Sequence, residues 1–516
     1  MNTNLFQTLR GKLVPAAPVR NEAGGVAYAP DPRHMLAQVA ATGCMNRTFY
    51  ATVDEQLKDV LALAQTLPAE FVAKTAIYAR QQGYMKDMPA LLCAVLASRD
   101  RELLKAAFPR VMDNARMVRN FVQIIRSGVT GRKSLGTLPK RLVRDWIAAR
   151  SDEQLFADSV GQAPSLADII RMVHPRPAGP EREALYAYLI GRVHNDELLP
   201  PIVRAYEAYK MGHIKTAPNV PFQMLTALEL AKADWIEIAR TAPWQMTRMN
   251  LNTFARHGVF DNREVTRAVA SRLASAELVR KARVFPYQLL AAYKSAGNGV
   301  PEIVRNALQD AMEIATANVP RIDGKVYIFP DVSGSMQSPV TGQRGSATTA
   351  VRCIDVAALV AATIMRRNRD AEVLPFGTGV CPAEINPRDS IMTNAQKLAA
   401  LNGGGTNCSA PLAELNRRKA QGDLVVYVSD NESWADPQRG RGTATMAEWA
   451  IFQGRNPNAR LVCIDIQPYV TTQAAERADI LNVGGFSDQV FTLLARFAEG
   501  NLSGDHWVGE IEKVTW

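Results

Sequence analysis

The chain has 516 residues, 47% of them hydrophobic and 21% charged, and carries a formal net charge of +10. That length exceeds what one hydrophobic core organises, and that apolar content excludes a largely disordered chain, so two or more folded domains are expected. Residues 321–516 are close to neutral, so the positive excess falls on the first 320 and points to a polyanionic partner there, nucleic acid ahead of a membrane surface.

The N-terminus, Met1 to Gln7, lacks a basic segment followed by an apolar core, and no apolar run reaches membrane-spanning length; a soluble, cytoplasmic protein is expected. Residues 1–30, broken by Gly24-Gly25 and Pro30-Asp31-Pro32, read as an irregular segment over the surface. Helical periodicity then begins. Segments 55–67, 69–82, 88–97, 101–108 and 115–127 place apolar residues at three- and four-residue spacing, and similar pieces recur at 198–210, 223–232, 235–241, 262–273, 278–284, 287–295 and 301–317. Residues 31–320 thus form a string of short helices without intervening strands. Successive helical hairpins without a heptad favour an α-solenoid of the HEAT type over a bundle.

After Asn318-Val319-Pro320 the pattern changes. Strand candidates 326–329, 372–376, 424–428 and 461–466 alternate with helical stretches, which indicates a doubly wound, mostly parallel sheet over residues 321–516. Six cysteines with no CxxC pair fit neither a disulfide scaffold nor a structural zinc site.

In a doubly wound sheet, ligands bind at the carboxyl ends of the strands. The strand at 326–329 runs into Asp331-Val332-Ser333-Gly334-Ser335, which offers one carboxylate and two hydroxyls from one side of a loop. Gly403-Gly404-Gly405-Thr406 presents a further hydroxyl, and a later strand ends in Asp430. Oxygen-only donors suit Mg²⁺ or another hard divalent ion and suit zinc poorly. The glycine run could instead cradle a phosphate, although it lacks a P-loop lysine. Asp331-x-Ser333-x-Ser335 with Thr406 and Asp430 resembles the metal-ion-dependent adhesion site of the von Willebrand factor A-like domain. The resemblance implies that these five residues hold Mg²⁺ and that the ion awaits a carboxylate from a protein partner. A hydrolase would need a base beside the metal; Glu432 is the nearest, and His506 is the one histidine in this domain.

In the first domain, Gly131 to Trp146 is the most suggestive basic stretch. With Thr137 near an N-cap and Pro139 in the first turn, Lys140 and Arg144 fall one turn apart on one helix face with Arg141 beside them. Such a face engages consecutive phosphates or is simply the solvated side of an amphipathic helix. His174 ends a helical stretch before Pro175 and could stack on a base.

Segments 136–146, 170–177, 246–254 and 278–290 together resemble the TROVE module of the Ro autoantigen family. With the von Willebrand A-like domain attached, the resemblance runs from about residue 30 to the C-terminus. It implies a ring of helical repeats closed by the second domain. It also implies Y-type noncoding RNA on the basic outer surface, single-stranded 3′ ends of misfolded RNA in the ring cavity, and, in bacterial members, an exoribonuclease as partner. It makes Lys140, Arg141, Arg144 and His174 RNA contacts, and sets Arg248, Asn252, Arg283 and Gln288 in segments that approach the cavity; Pro175 and Arg176 depart from the animal pattern. The expected protein is a monomeric, non-enzymatic RNA-binding scaffold with a Mg²⁺ adhesion site. A protein-only helical-repeat adaptor and a Mg-dependent hydrolase are the rival readings.

Overall fold

The computed structural model describes residues 16–42, 51–161, 163–282, 284, 286–343, 348–435, 442–469, 471–485, 490–500 and 506–516. The chain divides into two compact units, one of residues 61–265 with 511–516 and one of residues 1–60 with 266–510.

The first unit is helical. Its helices α1 (Ala69–Gln81), α2 (Asp87–Arg99), α3 (Arg101–Val111) and α4 (Ala115–Ser127) follow the apolar spacing of their sequences. Helix α1 packs on α2 and α3, and α2 on α3 and α4, as stacked helical hairpins do. Phe108 meets Phe121 edge-on with ring centroids 5.3 Å apart, and both are buried. The Asp100 carboxylate accepts from the amides of Glu102 and Leu103 at the start of α3, and Asn114 accepts from Met117 N at the start of α4. Each cap is worth about 1 kcal/mol. The helix expected over 223–232 is confined to Phe222–Thr226. The Asp234 side chain accepts from Ala231 N and starts a new helix, Lys232–Thr241.

The second unit opens with a short antiparallel hairpin, β1 (Val19–Arg20) and β2 (Val26–Ala27), so residues 16–30 are not the irregular surface segment that their glycines and prolines suggest. Tyr28 pairs with Thr472 and is buried among Phe376, Met446 and Trp449, and this apolar anchorage overrides the local breakers. Five parallel strands follow in the order β4-β3-β5-β6-β7: β3 (Val326–Pro330), β4 (Glu372–Val373), β5 (Leu424–Ser429), β6 (Arg460–Asp465) and β7 (Ile480–Gly484). Strand β4 stops short of the expected 372–376. Strand β7 carried no clear signal, since Asn482 and Gly484 interrupt its apolar run.

Strands β3 and β5 are buried along their whole length, as a sheet covered on both faces requires. Tyr327, Phe329, Val425, Tyr427, Leu461 and Cys463 share one core with Trp449 and Phe452. The helix Cys353–Arg367 packs against β3, β4 and β5. Although helices give way to strands near 320, the compact units part elsewhere, because helices of 266–318 pack with the α/β layer. Glu313 accepts from Ile391 N at 2.7 Å and pairs with Arg366 at 3.3 Å, and Arg367 donates to Val319 O at 2.7 Å. No helix among the described residues is long and apolar enough to cross a membrane.

Candidate cation site and basic helix face

The carboxyl ends of β3 and β5 bring the oxygen-bearing loops together. Asp331 N donates to Val428 O at 2.9 Å, so the first loop leaves the sheet beside the end of β5. Gly334 N donates to Gly404 O and Gly403 N to Val332 O, which ties the Gly403–Thr406 segment to the Asp331–Ser335 loop. Glycine is required at that crossing: a Cβ on Gly377 would lie 2.2 Å from Gly403 O. All five sequence-predicted oxygen donors, Asp331, Ser333, Ser335, Thr406 and Asp430, are buried, none more than 6% exposed.

Ser333 Oγ lies 3.3 Å from Ser335 Oγ, and Asp331 Oδ1 accepts from Ser333 N at 2.8 Å. Ser429 Oγ donates to Asp331 Oδ2 at 2.5 Å, a contact the sequence reading missed; its signal was a hydroxyl one residue ahead of a strand-terminal Asp. Ser335 hydrogen-bonds the Asp430 carboxyl. Burial, reinforced by the charge of Asp430, pushes Asp331 up to about 7, and burial raises Asp430 as well. Among the described residues no Lys, Arg or His forms an ion pair with either group. Two buried carboxylates without a counter-charge are costly, and either protons or a cation relieve that cost.

The donor set fits a hard divalent ion, with three hydroxyls and two carboxylates and neither sulfur nor imidazole. The wider acidic group is not a second metal cluster, since no three Asp, Glu, His or Cys side chains among the described residues are arranged to hold an ion. Burial, together with Glu22 and Asp430, pushes Glu432 up to about 10; burial and the neighbouring Glu432 also hold Asp465 well above the carboxylate range. Glu432 is therefore a poor base at neutral pH.

The N-terminal hairpin clamps the loop that follows Asp430. Asn21 Nδ2 donates to Ser433 O at 2.9 Å, Ala23 N donates to Glu432 Oε2 at 3.1 Å, and a Cβ on Gly25 would lie 2.0 Å from Ser433 O. Ser433 Oγ in turn accepts from Cys408 N, while the amides of Trp434 and Ala435 donate to Thr406 O. One hydrogen-bonded chain thus joins the hairpin to the segments carrying Thr406 and Asp430. Nothing in the local sequence around Asn21 signals this.

In the other unit, α5 (Thr137–Ala148) carries Lys140, Arg141 and Arg144. Gly136, at φ 72°, takes the N-cap position expected of Thr137, because the left-handed backbone there favours glycine. Lys140 is half-buried, and Arg141 and Arg144 are exposed. Arg144 Nε donates to Val173 O, the last residue of α6 (Leu166–Val173), and so satisfies a helix-terminal carbonyl. The next residue, His174, is exposed and ends α6 in a left-handed turn at φ 50°. The structure therefore brings Arg144 and His174 together. Among the described residues no carboxylate forms an ion pair with Lys140, Arg141 or Arg144, whereas Arg150, Arg182, Lys210 and Lys232 are all paired.

Arg248, half-buried near the end of helix α7 (Trp244–Met249), donates weakly to Gln245 at 3.4 Å, and burial lowers its pKa. Asn252 is exposed on the next helix, α8 (Leu251–Arg256), and Gln288 is half-buried on α9 (Pro286–Ser295) in the other unit. Arg283 lies outside the described residues.

Residues 325–498 match the family model described as the Ro60 vWA domain. Over most of its length the chain is similar to a Ro protein. It is 25% identical over 530 aligned residues to RNA-binding protein RO60 of Deinococcus radiodurans, covering 94% of this chain and 96% of that protein. The crystal structure of the Deinococcus radiodurans Ro (RSR) protein shares this fold with a TM-score of 0.63 at 18% identity, over 92% of this chain and 100% of that one. A helical N-terminal region followed by a vWA domain with a five-stranded parallel sheet is thus the architecture of this chain.

Proposed function

We propose that this chain is an RNA-binding scaffold and not an enzyme, acting as a monomer in the cytoplasm. One observation carries the reading: a helix face of half-buried Lys140 and exposed Arg141 and Arg144 that forms no ion pair with a carboxylate among the described residues, with His174 fixed beside it. The name of the Deinococcus relative, an RNA-binding protein, supports it. The expected ligands are Y-type noncoding RNA on this face and single-stranded 3′ ends of misfolded RNA, the latter contacted by Arg248, Asn252, Arg283 and Gln288. Arg supplies bidentate phosphate contacts and base stacking, and His174 an exposed ring.

Asp331, Ser333, Ser335, Thr406 and Asp430 would hold Mg²⁺, with Ser429 fixing the orientation of Asp331. When bound, the ion supplies a Lewis-acidic position for a carboxylate oxygen of a protein partner, for which an RNA-processing exoribonuclease is the candidate. The buried Asp331 and Asp430 keep their charge on the ion, and the hydrogen-bonded hairpin keeps the two loops from separating.

The test is a gel shift across a salt series with a structured RNA carrying a free 3′ tail, against the same RNA blunt-ended. Both should bind at low salt, the tailed form more tightly, with affinity falling steeply as salt rises. No binding of either RNA would leave a protein-only adaptor as the reading. Mg²⁺-dependent RNA cleavage that disappears in Asp331→Ala would establish a hydrolase instead.

A further inference from the structure

Beside the cation site, within the same compact unit, lies a cavity of about 520 Å³, the size of sites that take small ligands or side chains (roughly 300–1,000 Å³). Its walls include Gly334, between the two serines of the Asp331–Ser335 loop, and Leu401 and Asn402, which lead into Gly403–Thr406. The cavity therefore borders the loop that carries Asp331, Ser333 and Ser335 and the residues that lead into Thr406. Leu290, Met392, Ala395 and Ala399 line its apolar side.

Lys294 and Arg352 form the charged edge. Lys294 Nζ lies 2.6 Å from Asp355 Oδ2 and Arg352 Nη2 lies 2.9 Å from Asp355 Oδ1. Asp355 is 3% exposed, against 27% and 35% for the two cationic side chains. Two cations share one buried anion, so this edge carries a single net positive charge. That is enough for a carboxylate and little for a run of phosphates. The apolar walls are mostly aliphatic, with Tyr293 the one aromatic residue among the described lining residues, so they suit an aliphatic side chain better than a run of stacked bases.

We propose that this cavity is the specificity subsite of the cation site: a protein partner that offers an Asp or Glu carboxylate at Asp331, Ser333 and Ser335 seats a neighbouring Leu-, Met- or Phe-sized side chain against Leu290, Met392, Ala395 and Ala399. The assignment rests on the reading that the five oxygen donors hold a divalent ion. Charge complementarity to Lys294 and Arg352 favours a second acidic residue in the same segment. Binding is then a pair of linked contacts, metal to acid and cavity to apolar side chain, and neither alone specifies the partner.

A displayed library of random short peptides, selected on the full chain in Mg²⁺, tests this. The selected peptides should pair an acid with an adjacent large apolar residue. Ala399→Trp and, independently, the more exposed Ala400→Trp fill the cavity; with thermal unfolding unchanged, the acid preference should persist and the apolar one vanish. A synthesised selected peptide should lose at least about tenfold in affinity for either variant. Peptides without an apolar preference, or one untouched by both tryptophans, overturn the proposal directly. An apolar preference that survives both chelation and Asp331→Ala overturns it through the cation reading, by cutting the link between the two contacts. A single-stranded oligoribonucleotide displaced by the tryptophans would make the cavity a nucleotide site, which also overturns it.

Discussion

The candidate cation site and the basic helix face are both places where charge is left unbalanced, and they differ in where the solvent is. Among the described residues, Asp331 and Asp430 are buried and pair with no cation, whereas Arg141 and Arg144 are exposed and form no ion pair with a carboxylate. Buried imbalance is expensive and shows itself in shifted carboxyls and stability; exposed imbalance costs little and shows itself only when a polyanion arrives. The two sites should therefore respond to different perturbations, and each substitution below tests that separation.

The largest effect is expected at Asp331. Asp331→Asn should abolish Mg²⁺ uptake measured by calorimetry and leave RNA affinity at the parent's value. At pH 8 it should also raise the thermal midpoint of the metal-free protein, because a carboxyl pushed up to about 7 is held as a strained anion there. A metal-free midpoint that falls would mean that Asp331 is stabilised by something other than a cation.

A pH series generalises the point. Asp331 at about 7 and Glu432 at about 10 both lie above their ordinary values of 3.8 and 4.5. Between pH 5 and 8 the unfolded chain has released protons that the folded chain retains, so stability falls as pH rises. The contribution of Asp331 is lost by about pH 7, and that of Glu432 continues toward pH 10. Thermal midpoints without Mg²⁺ should decline across pH 5–8, and saturating Mg²⁺ should flatten the part due to Asp331. A flat metal-free profile would refute the buried-anion account.

Gly25→Ala comes next. Its new Cβ would lie 2.0 Å from the Ser433 carbonyl oxygen, a backbone atom that cannot swing aside. The cost should be about 1–3 kcal/mol, with faster hydrogen exchange at the Trp434 and Ala435 amides and weaker Mg²⁺ binding, although Gly25 touches no donor oxygen. Unaltered exchange at those amides would remove the hairpin from the site.

How much of this was legible depends on the range of each interaction. The Asp331-x-Ser333-x-Ser335 run is local, the rule that ligands gather at strand ends pointed to Asp331 and Asp430, and the resemblance to the von Willebrand A-like adhesion site joined them to Thr406 before any coordinates. The alternation of apolar strands and helices likewise announced the sheet, although β7, broken by Asn482 and Gly484, did not announce itself. The clamp of Asn21 on Ser433 spans 412 residues and follows no period, so no window of sequence contains it. The burial of Tyr28 was hidden in the same way behind glycines and prolines that locally read as irregular. On the basic face, charge and spacing were visible in the sequence; the absence of carboxylate partners and the contact of Arg144 with Val173 came only from the fold.

The smallest effects should come from the basic face, and they divide it. Lys140→Ala removes a cation that makes no ion pair among the described residues, so stability should stay within about 0.5 kcal/mol while RNA affinity drops and the salt slope falls by about one. Arg144→Ala should lose as much RNA affinity and in addition about 1 kcal/mol of stability, because the Val173 carbonyl at the end of α6 loses its donor and the turn at His174 loosens. Arg144→Lys separates the two roles: it keeps the charge and therefore much of the salt slope, but not the planar fork that reaches Val173. A gel-shift salt series beside thermal unfolding for the three variants reads both quantities. Equal RNA affinity in Lys140→Ala and the parent would show that this face is solvated surface and that the polyanion lies elsewhere.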